Sequence, residues 1–128
     1  MRWFKKEKPA EIWDEPIQWP IGDIEAAHKI RDICRSAADS AAKTAGRAGD
    51  RDSNKQQYEV KRYEQGARAA MEIAMKISDD LLRDSAVRQI IDLCSRANDL
   101  RTSRILFRAI QSPSIRQEVL EDHPQLAQ

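Results

Sequence analysis

Glycine, cysteine and histidine are scarce in this sequence of 128 residues, which has 4 Gly, 2 Cys and 2 His. Four glycines cannot form a glycine-rich phosphate cradle, and neither a phosphate-loop motif nor a Gly-x-Ser-x-Gly motif is present. No run of 18 apolar residues occurs, so we expect no transmembrane helix; the N-terminus also lacks the apolar stretch of a secretory signal. These absences predict a cytoplasmic, non-enzymatic domain with no cofactor and no small-molecule substrate.

The two cysteines, Cys34 and Cys94, both lie on apolar faces of predicted helices. Neither has a histidine near it in sequence, so we expect buried, reduced thiols rather than nucleophiles. A disulfide between them stays open, because sequence alone cannot place two Cα atoms within bridging distance.

Composition indicates a thin core under a strongly charged surface. Charged residues make up 34% of the chain, mean hydropathy is −0.71, and 17 of the apolar residues are alanine. No segment alternates apolar and polar residues as a strand would. The size fits one domain, and the pattern predicts an all-α fold: a long antiparallel hairpin and about three shorter helices, with an extended Trp/Pro-rich N-terminal arm.

The predicted arm, residues 1–22, holds all three tryptophans and three of the five prolines. Prolines at this spacing exclude a long helix. We expect Trp13 and Trp19 to pack over the helices and supply bulk that an alanine-rich core lacks. Trp3 and Phe4 are expected to stay exposed and contact a partner. Because all four are large apolar side chains outside the predicted helices, each is also a candidate for partner binding.

Two amphipathic segments predict the hairpin. In the first, Asp23 is the expected N-cap, and Gly46 and Gly49 end the helix. Small or apolar residues recur at a period near 3.6, and four neighbours widen this stripe: Ala27, Ile30, Cys34, Ala37 and Ala41, with Ile24, Ile33, Ala38 and Ala45. The second is predicted to run from Ser53 to Leu82, with a heptad seam of Val60, Tyr63, Ala67, Ala70, Ala74, Ile77 and Leu81. Small side chains and Gly66 in this seam favour close packing of the two helices. Pairing within one chain and pairing between chains both satisfy this pattern.

Three shorter helices are predicted to complete the domain, residues 23–122. The third starts at Asp84-Ser85, buries Val87, Ile90, Ile91, Cys94 and Ala97, and ends at Asn98-Asp99. The fourth spans about 102–111, with Ser103, Leu106, Phe107 and Ile110 on its apolar side. Ser112-Pro113 then supplies an N-cap and a first-turn proline for the fifth. The tail, residues 123–128, is expected to fray.

Two charged patterns in the sequence are candidate sites. Glu25 and His28 form a Glu-x-x-His pair, but a di-metal site needs a second copy and further inward glutamates, so we expect no metal. Arg101, Arg104 and Arg108 share the polar side of the fourth helix, with Arg96 nearby. They can follow a phosphate backbone or form a solvated face, and a net charge of +1 favours the latter.

The sequence therefore predicts an interaction module, an adaptor, regulator or self-associating protein, whose partner is another protein or a second copy. One alternative is nucleic-acid binding through Arg101, Arg104 and Arg108. The other is a peripheral membrane protein that uses Trp3, Phe4, Lys5 and Lys6, although the acidic residues that follow oppose this.

Overall fold

The computed structural model describes residues 11–46 and 54–127, and within these ranges the chain is all-α, as predicted. The five α-helices of this part are α1 (Asp23–Gly46), α2 (Asn54–Ala74), α3 (Asp80–Arg96), α4 (Leu100–Ala109) and α5 (Pro113–Asp122). Short 3-10 turns occupy Ile12–Asp14 in the arm and Pro124–Ala127 after α5. Ser53 and Gly49, assigned above to helix ends, lie outside the described residues.

The predicted antiparallel hairpin is formed by α1 and α2. Gln56 Nε2 near the start of α2 donates to the carbonyl of Lys43 near the end of α1, at 3.2 Å. At the opposite end of the hairpin, Asp23 accepts from the backbone N–H groups of Ser78 and Asp79, just beyond α2. The helices therefore run side by side over most of their length, and the seam pairs them within one chain.

The second helix is shorter than predicted, since α2 ends at Ala74 and not at Leu82. The chain turns at residues 75–79, where the Asp23 carboxylate accepts from Ser78 N at 3.0 Å and Asp79 N at 2.9 Å. Asp79 then caps α3 through Leu82 N at 2.8 Å. The heptad seam therefore stops at Ile77, which is buried, while Leu81 is exposed.

The third helix begins at Asp80 rather than at Asp84, and it packs against both α1 and α2. All five residues of its predicted apolar face are buried: Val87, Ile90, Ile91, Cys94 and Ala97. Asp84 does not start the helix; it is 2% exposed and accepts from the backbone N–H groups of Gln111 and Ser112 at 3.1 and 2.8 Å. This buried carboxylate ties the α4–α5 connection to α3.

The C-terminal helices pack on α3. The predicted break at Asn98-Asp99 is confirmed: Asn98 has φ of 60°, and Asp99 caps α4 through Thr102 N. This cap starts α4 two residues earlier than predicted, at Leu100, but its expected inner face is buried: Ser103, Leu106, Phe107 and Ile110. Ser112 caps α5, as predicted, with Pro113 in the first turn. The tail was predicted to fray, whereas residues 124–127 form a turn with Leu126 buried.

The inner face of α1 is turned about the helix axis relative to the predicted stripe. Ile30, Ile33, Ala37 and Ala41 are buried as predicted, and they are joined by Ala26 and Ser40. Ala27 and Cys34 are only partly buried, and Ile24 is 65% exposed. The shift follows from geometry, because α1 contacts both α2 and α3 and therefore buries two adjoining faces.

Candidate interaction surfaces

The seam between α1 and α2 is closed and offers no surface to a partner. At its centre Gly66 lies so near α1 that a Cβ atom there would stand 2.9 Å from Ala37 Cβ. Ala67 and Ala70 beside it are 4% and 0% exposed. The absence of a side chain at Gly66 is therefore what lets the two backbones approach, as the small-residue seam predicted.

Arg62 on α2 fastens the arm to this hairpin. Its guanidinium donates to both carboxylate oxygens of Glu11 at 2.8 and 3.0 Å, to the Ser36 carbonyl at 2.9 Å and to Ser40 Oγ at 3.0 Å. Ser40 Oγ in turn donates to the buried Glu59 at 2.7 Å. The hydrogen bond to Glu11 is the main reason that the pKa of Arg62 is raised. Sequence reasoning missed this network, since Glu11 and Arg62 are 51 residues apart.

Trp13 packs where the arm crosses the hairpin, and the predicted structural role of this residue is confirmed. The indole is half-buried against the hydrophobic core, and its edge would meet a Cβ at Gly66 at 3.4 Å. The Arg62 guanidinium lies 5.0 Å from the centre of the Trp13 ring. Trp13 Nε1 is buried without a hydrogen-bond partner in the described part of the chain. This side chain therefore supplies aromatic bulk over the small-residue seam.

An open groove of about 470 Å³ separates this part of the arm from α1. Its apolar wall is formed by Ile12, Trp13, Ile17, Ile33 and Ile73, and its polar edge by Glu15, Lys29, Asp32, Arg35 and Ser36. Within the described chain the groove is therefore an apolar crevice with both signs of charge at its edge.

Trp19 lies at the end of the bundle, away from Trp13, and it is 40% exposed. Lys76 Nζ is 5.2 Å from the centre of its ring, which places the indole beside the turn after α2. Three more large apolar side chains at this end are exposed: Ile24 at the start of α1, Met75 after α2 and Leu81 at the start of α3. We call Trp19, Ile24, Met75 and Leu81 the end surface. The predicted packing of Trp19 is thus only partial.

The arginines predicted for nucleic-acid binding lie on one side of α4. Arg101 and Arg108 are exposed, and Arg104 is half-buried with a buried Nε that has no hydrogen-bond partner in the described ranges. Among residues 11–46 and 54–127, none of the three forms an ion pair within 4.0 Å. Their charges are therefore available to an anion. Trp3, Phe4, Lys5 and Lys6 lie outside the described residues.

The remaining candidates from the sequence are located as follows. Glu25 and His28 are exposed on α1, and the described residues contain no cluster of three or more potential metal ligands. Cys34 and Cys94 are not bridged, and burial raises the pKa of their thiols to about 12 and about 11. No helix in the described ranges is both long and apolar enough to cross a bilayer.

Comparisons with protein-family models, with curated proteins and with solved structures find no match to this chain.

Proposed function

We propose that this chain is a non-enzymatic interaction module that pairs with a second copy of itself through the end surface. The observation that carries the proposal is the exposure of four large apolar side chains at one end of the bundle: Trp19, Ile24, Met75 and Leu81. Large apolar side chains grouped on a surface mark contact sites more often than single ones do. The small-residue seam is occupied by α1, so it is not available for this purpose.

The area of the end surface is close to what a stable dimer requires. Trp19, Ile24, Met75 and Leu81 are 40%, 65%, 74% and 60% exposed, respectively. Together these fractions amount to about 500 Å² of mostly apolar surface. A protein interface of standard size covers about 800 Å² on each partner, of which about 55–65% is apolar. The four side chains therefore supply nearly all the apolar area such an interface needs.

The charges around the end surface suit pairing of two identical faces. In a two-fold interface one patch faces a second copy of itself, so a patch that carries both signs of charge can be complementary to itself. Lys76 supplies an exposed cation beside Trp19, and Glu25 supplies an exposed carboxylate at the start of α1. Asp80, at the start of α3, is also exposed but already forms an ion pair with Arg83. In a two-fold dimer the lysine of one copy can face a carboxylate of the other, which favours a second copy as the partner.

Light scattering after size-exclusion chromatography tests this proposal. We expect the full chain to show a dimer that dissociates on dilution through the micromolar range, which is typical of an interface of this size. The double variant Met75→Ser, Leu81→Ser should be monomeric. The matched control is Ile105→Ser, since Ile105 is 55% exposed on α4 and lies outside the end surface. This control should still form the dimer.

Two outcomes would reject self-pairing. One is a wild-type chain that stays monomeric at about 1 mM, a concentration at which even weak association is visible. The other is a dimer that is weakened equally by Ile105→Ser and by the end-surface variant. Circular dichroism of each variant ensures that loss of the dimer does not reflect loss of the fold.

Nucleic-acid binding is a second candidate, favoured by Arg101, Arg104 and Arg108, which form no ion pair within the part of the chain that the structure describes. Three charges on one face of α4 can contact successive phosphates, and each contact steepens the dependence of affinity on salt. Fluorescence anisotropy with a labelled oligonucleotide at low salt should then show binding that weakens with salt. The variant Arg101→Gln, Arg108→Gln should reduce both the affinity and the salt slope. Absence of binding at low salt would exclude this function.

A further inference from the structure

A second open groove, of about 360 Å³, lies between α1 and α3, on a different face from the end surface. α1 contributes Arg31 and Arg35 to its lining, and α3 contributes Gln89, Asp92 and Arg96. Leu93 and two small side chains of α1 form the apolar part of its wall. Three guanidinium groups thus border one small groove, opposed by a single carboxylate.

That carboxylate already has a partner. Asp92 Oδ1 lies 2.7 Å from Nε2 of His123, which follows α5. Arg35 and Arg96 are exposed and make no hydrogen bond or ion pair within the described ranges. Arg31 Nε lies 3.5 Å from Asp32 Oδ1, and this nitrogen is buried without a hydrogen-bond partner in the described part of the chain. Three guanidinium charges therefore stand against the two carboxylates of Asp92 and Asp32, and the groove keeps a net positive charge that favours an anion.

Arginine is the side chain best suited to phosphate, because its planar guanidinium donates two parallel hydrogen bonds to two oxygens. Gln89 adds an amide donor beside the three arginines. Burial raises the pKa of Cys34, on the same groove, to about 12, so this thiol adds no negative charge near neutral pH. The groove volume lies within the range of small-molecule sites, and the partly buried Ala38 and Cys34 offer an apolar surface to the uncharged part of a ligand.

We propose that the α1–α3 groove binds a small phosphorylated ligand, whose phosphoryl oxygens are held by Arg31, Arg35 and Arg96 and whose remainder packs against Ala38. The sequence implied no small-molecule ligand, because the arginines come from helices far apart in the chain and become neighbours only in the bundle. Arg35 also borders the arm groove, so Arg31 and Arg96 best distinguish this site.

Isothermal titration calorimetry with inorganic pyrophosphate, and then with a nucleoside diphosphate, tests the proposal on the full chain at low and moderate salt. We expect saturable binding of pyrophosphate, and tighter binding of the nucleoside diphosphate because its ring adds apolar contact. Arg31→Gln, Arg96→Gln should weaken both by about tenfold or more. Arg68→Gln is the matched control, since Arg68 is an exposed arginine on α2, outside this groove. It should bind as the wild type does.

Three results would overturn the proposal: no saturable binding of either anion, equal weakening by Arg68→Gln and by the groove variant, or stronger binding of a single-stranded oligonucleotide that the groove variant abolishes. The last result would assign the groove to nucleic acid instead. All substituted positions are at the surface or at its edge, and circular dichroism verifies that each variant is folded. If Arg31→Gln unfolds the chain, the single variant Arg96→Gln, at an exposed site, replaces the double variant in the binding titration.

Discussion

Replacing Gly66 by alanine sets two effects of similar size against each other. In an exposed helix, Gly→Ala stabilises by about 1 kcal/mol, because alanine loses less backbone entropy on folding. At Gly66 the added methyl would lie 2.9 Å from Ala37 Cβ and 3.4 Å from the Trp13 ring. Neither the Ala37 methyl nor the backbone behind it can rotate away, so α1 and α2 must move apart.

The structure indicates that the clash is the larger effect. Carbon atoms in contact prefer about 3.5–4.0 Å, so the helices must separate by more than half an ångström at the point where they are closest. Overpacking of this kind costs about 1–3 kcal/mol. After the gain in helix propensity, we expect Gly66→Ala to destabilise the fold by up to about 2 kcal/mol, which lowers the melting temperature by up to about 6 °C in a domain of this size.

A double-mutant cycle in urea isolates the contact. Ala37→Gly alone should be destabilising, because it removes a buried methyl and places a glycine inside α1. In the double variant Ala37→Gly, Gly66→Ala the methyl group removed from α1 is replaced by one on α2, so the clash is relieved. The double variant should therefore lose about 2 kcal/mol less stability than the sum of the losses in the two single variants. Gly46→Ala is the control, since nothing lies within 4 Å of a Cβ at that position. A Gly66→Ala protein as stable as the wild type, with no coupling to Ala37, would refute the close seam.

Three further predictions follow from buried or hydrogen-bonded groups. Asp84→Ala should lower the free energy of unfolding in urea by about 2–4 kcal/mol, because the N–H groups of Gln111 and Ser112 lose their acceptor. The control Ser85→Ala, at an exposed site, should change it little, and equal effects of the two variants would contradict the role of Asp84. Backbone hydrogen bonds from Ser78 and Asp79 lower the pKa of the Asp23 carboxyl in the folded chain below its ordinary value of 3.8. As the pH falls, the unfolded chain therefore takes up this proton first, and the free energy of unfolding decreases until the pH is below the pKa of Asp23 in the folded chain. Urea titrations from about pH 5 to about pH 2 should show that Asp23→Asn loses less stability than the wild type as the pH falls. The same pH dependence in both proteins would argue against the hydrogen bonds from Ser78 and Asp79 to Asp23. Burial raises the pKa of Cys34 and Cys94, so iodoacetamide near pH 8 should label the folded chain far more slowly than the chain in urea. Cys94 should react slowest because its side chain is 0% exposed, whereas Cys34 is only partly buried; rapid labelling of both would show that they are accessible.

Local patterns in the sequence were sufficient for the helices and for much of the core. The 3.6-residue period of α1, the small residues around Gly66 and the Ser112-Pro113 start of α5 each act within a few positions of the chain. The polar side of α4 was found in the same way, because Arg101, Arg104 and Arg108 recur at helical spacing. Such features do not depend on the tertiary fold.

The features that the sequence did not predict depend on residues far apart. In the sequence the heptad pattern continues through Ile77 to Leu81, as it would in a single uninterrupted helix. In the structure the chain turns there, because Asp23, more than fifty residues earlier, accepts a hydrogen bond from the backbone of Ser78. The end surface was not predicted either, since Ile24 and Leu81 both fit the apolar faces of predicted helices and were therefore expected to be buried. Asp84 has the sequence character of a helix start, and only the fold shows that its carboxylate is buried.

The position of α1 between α2 and α3 also limits how this protein can vary. A helix with one covered side can exchange residues freely on the other, whereas α1 must fit two neighbours at once with alanine, serine and isoleucine. A larger side chain at Ala37 would push against α2, and one at Ala26 or Ile33 has little room to turn aside. Natural variation among functional versions of this chain should therefore be least along α1 and greatest on the outward faces of α4 and α5.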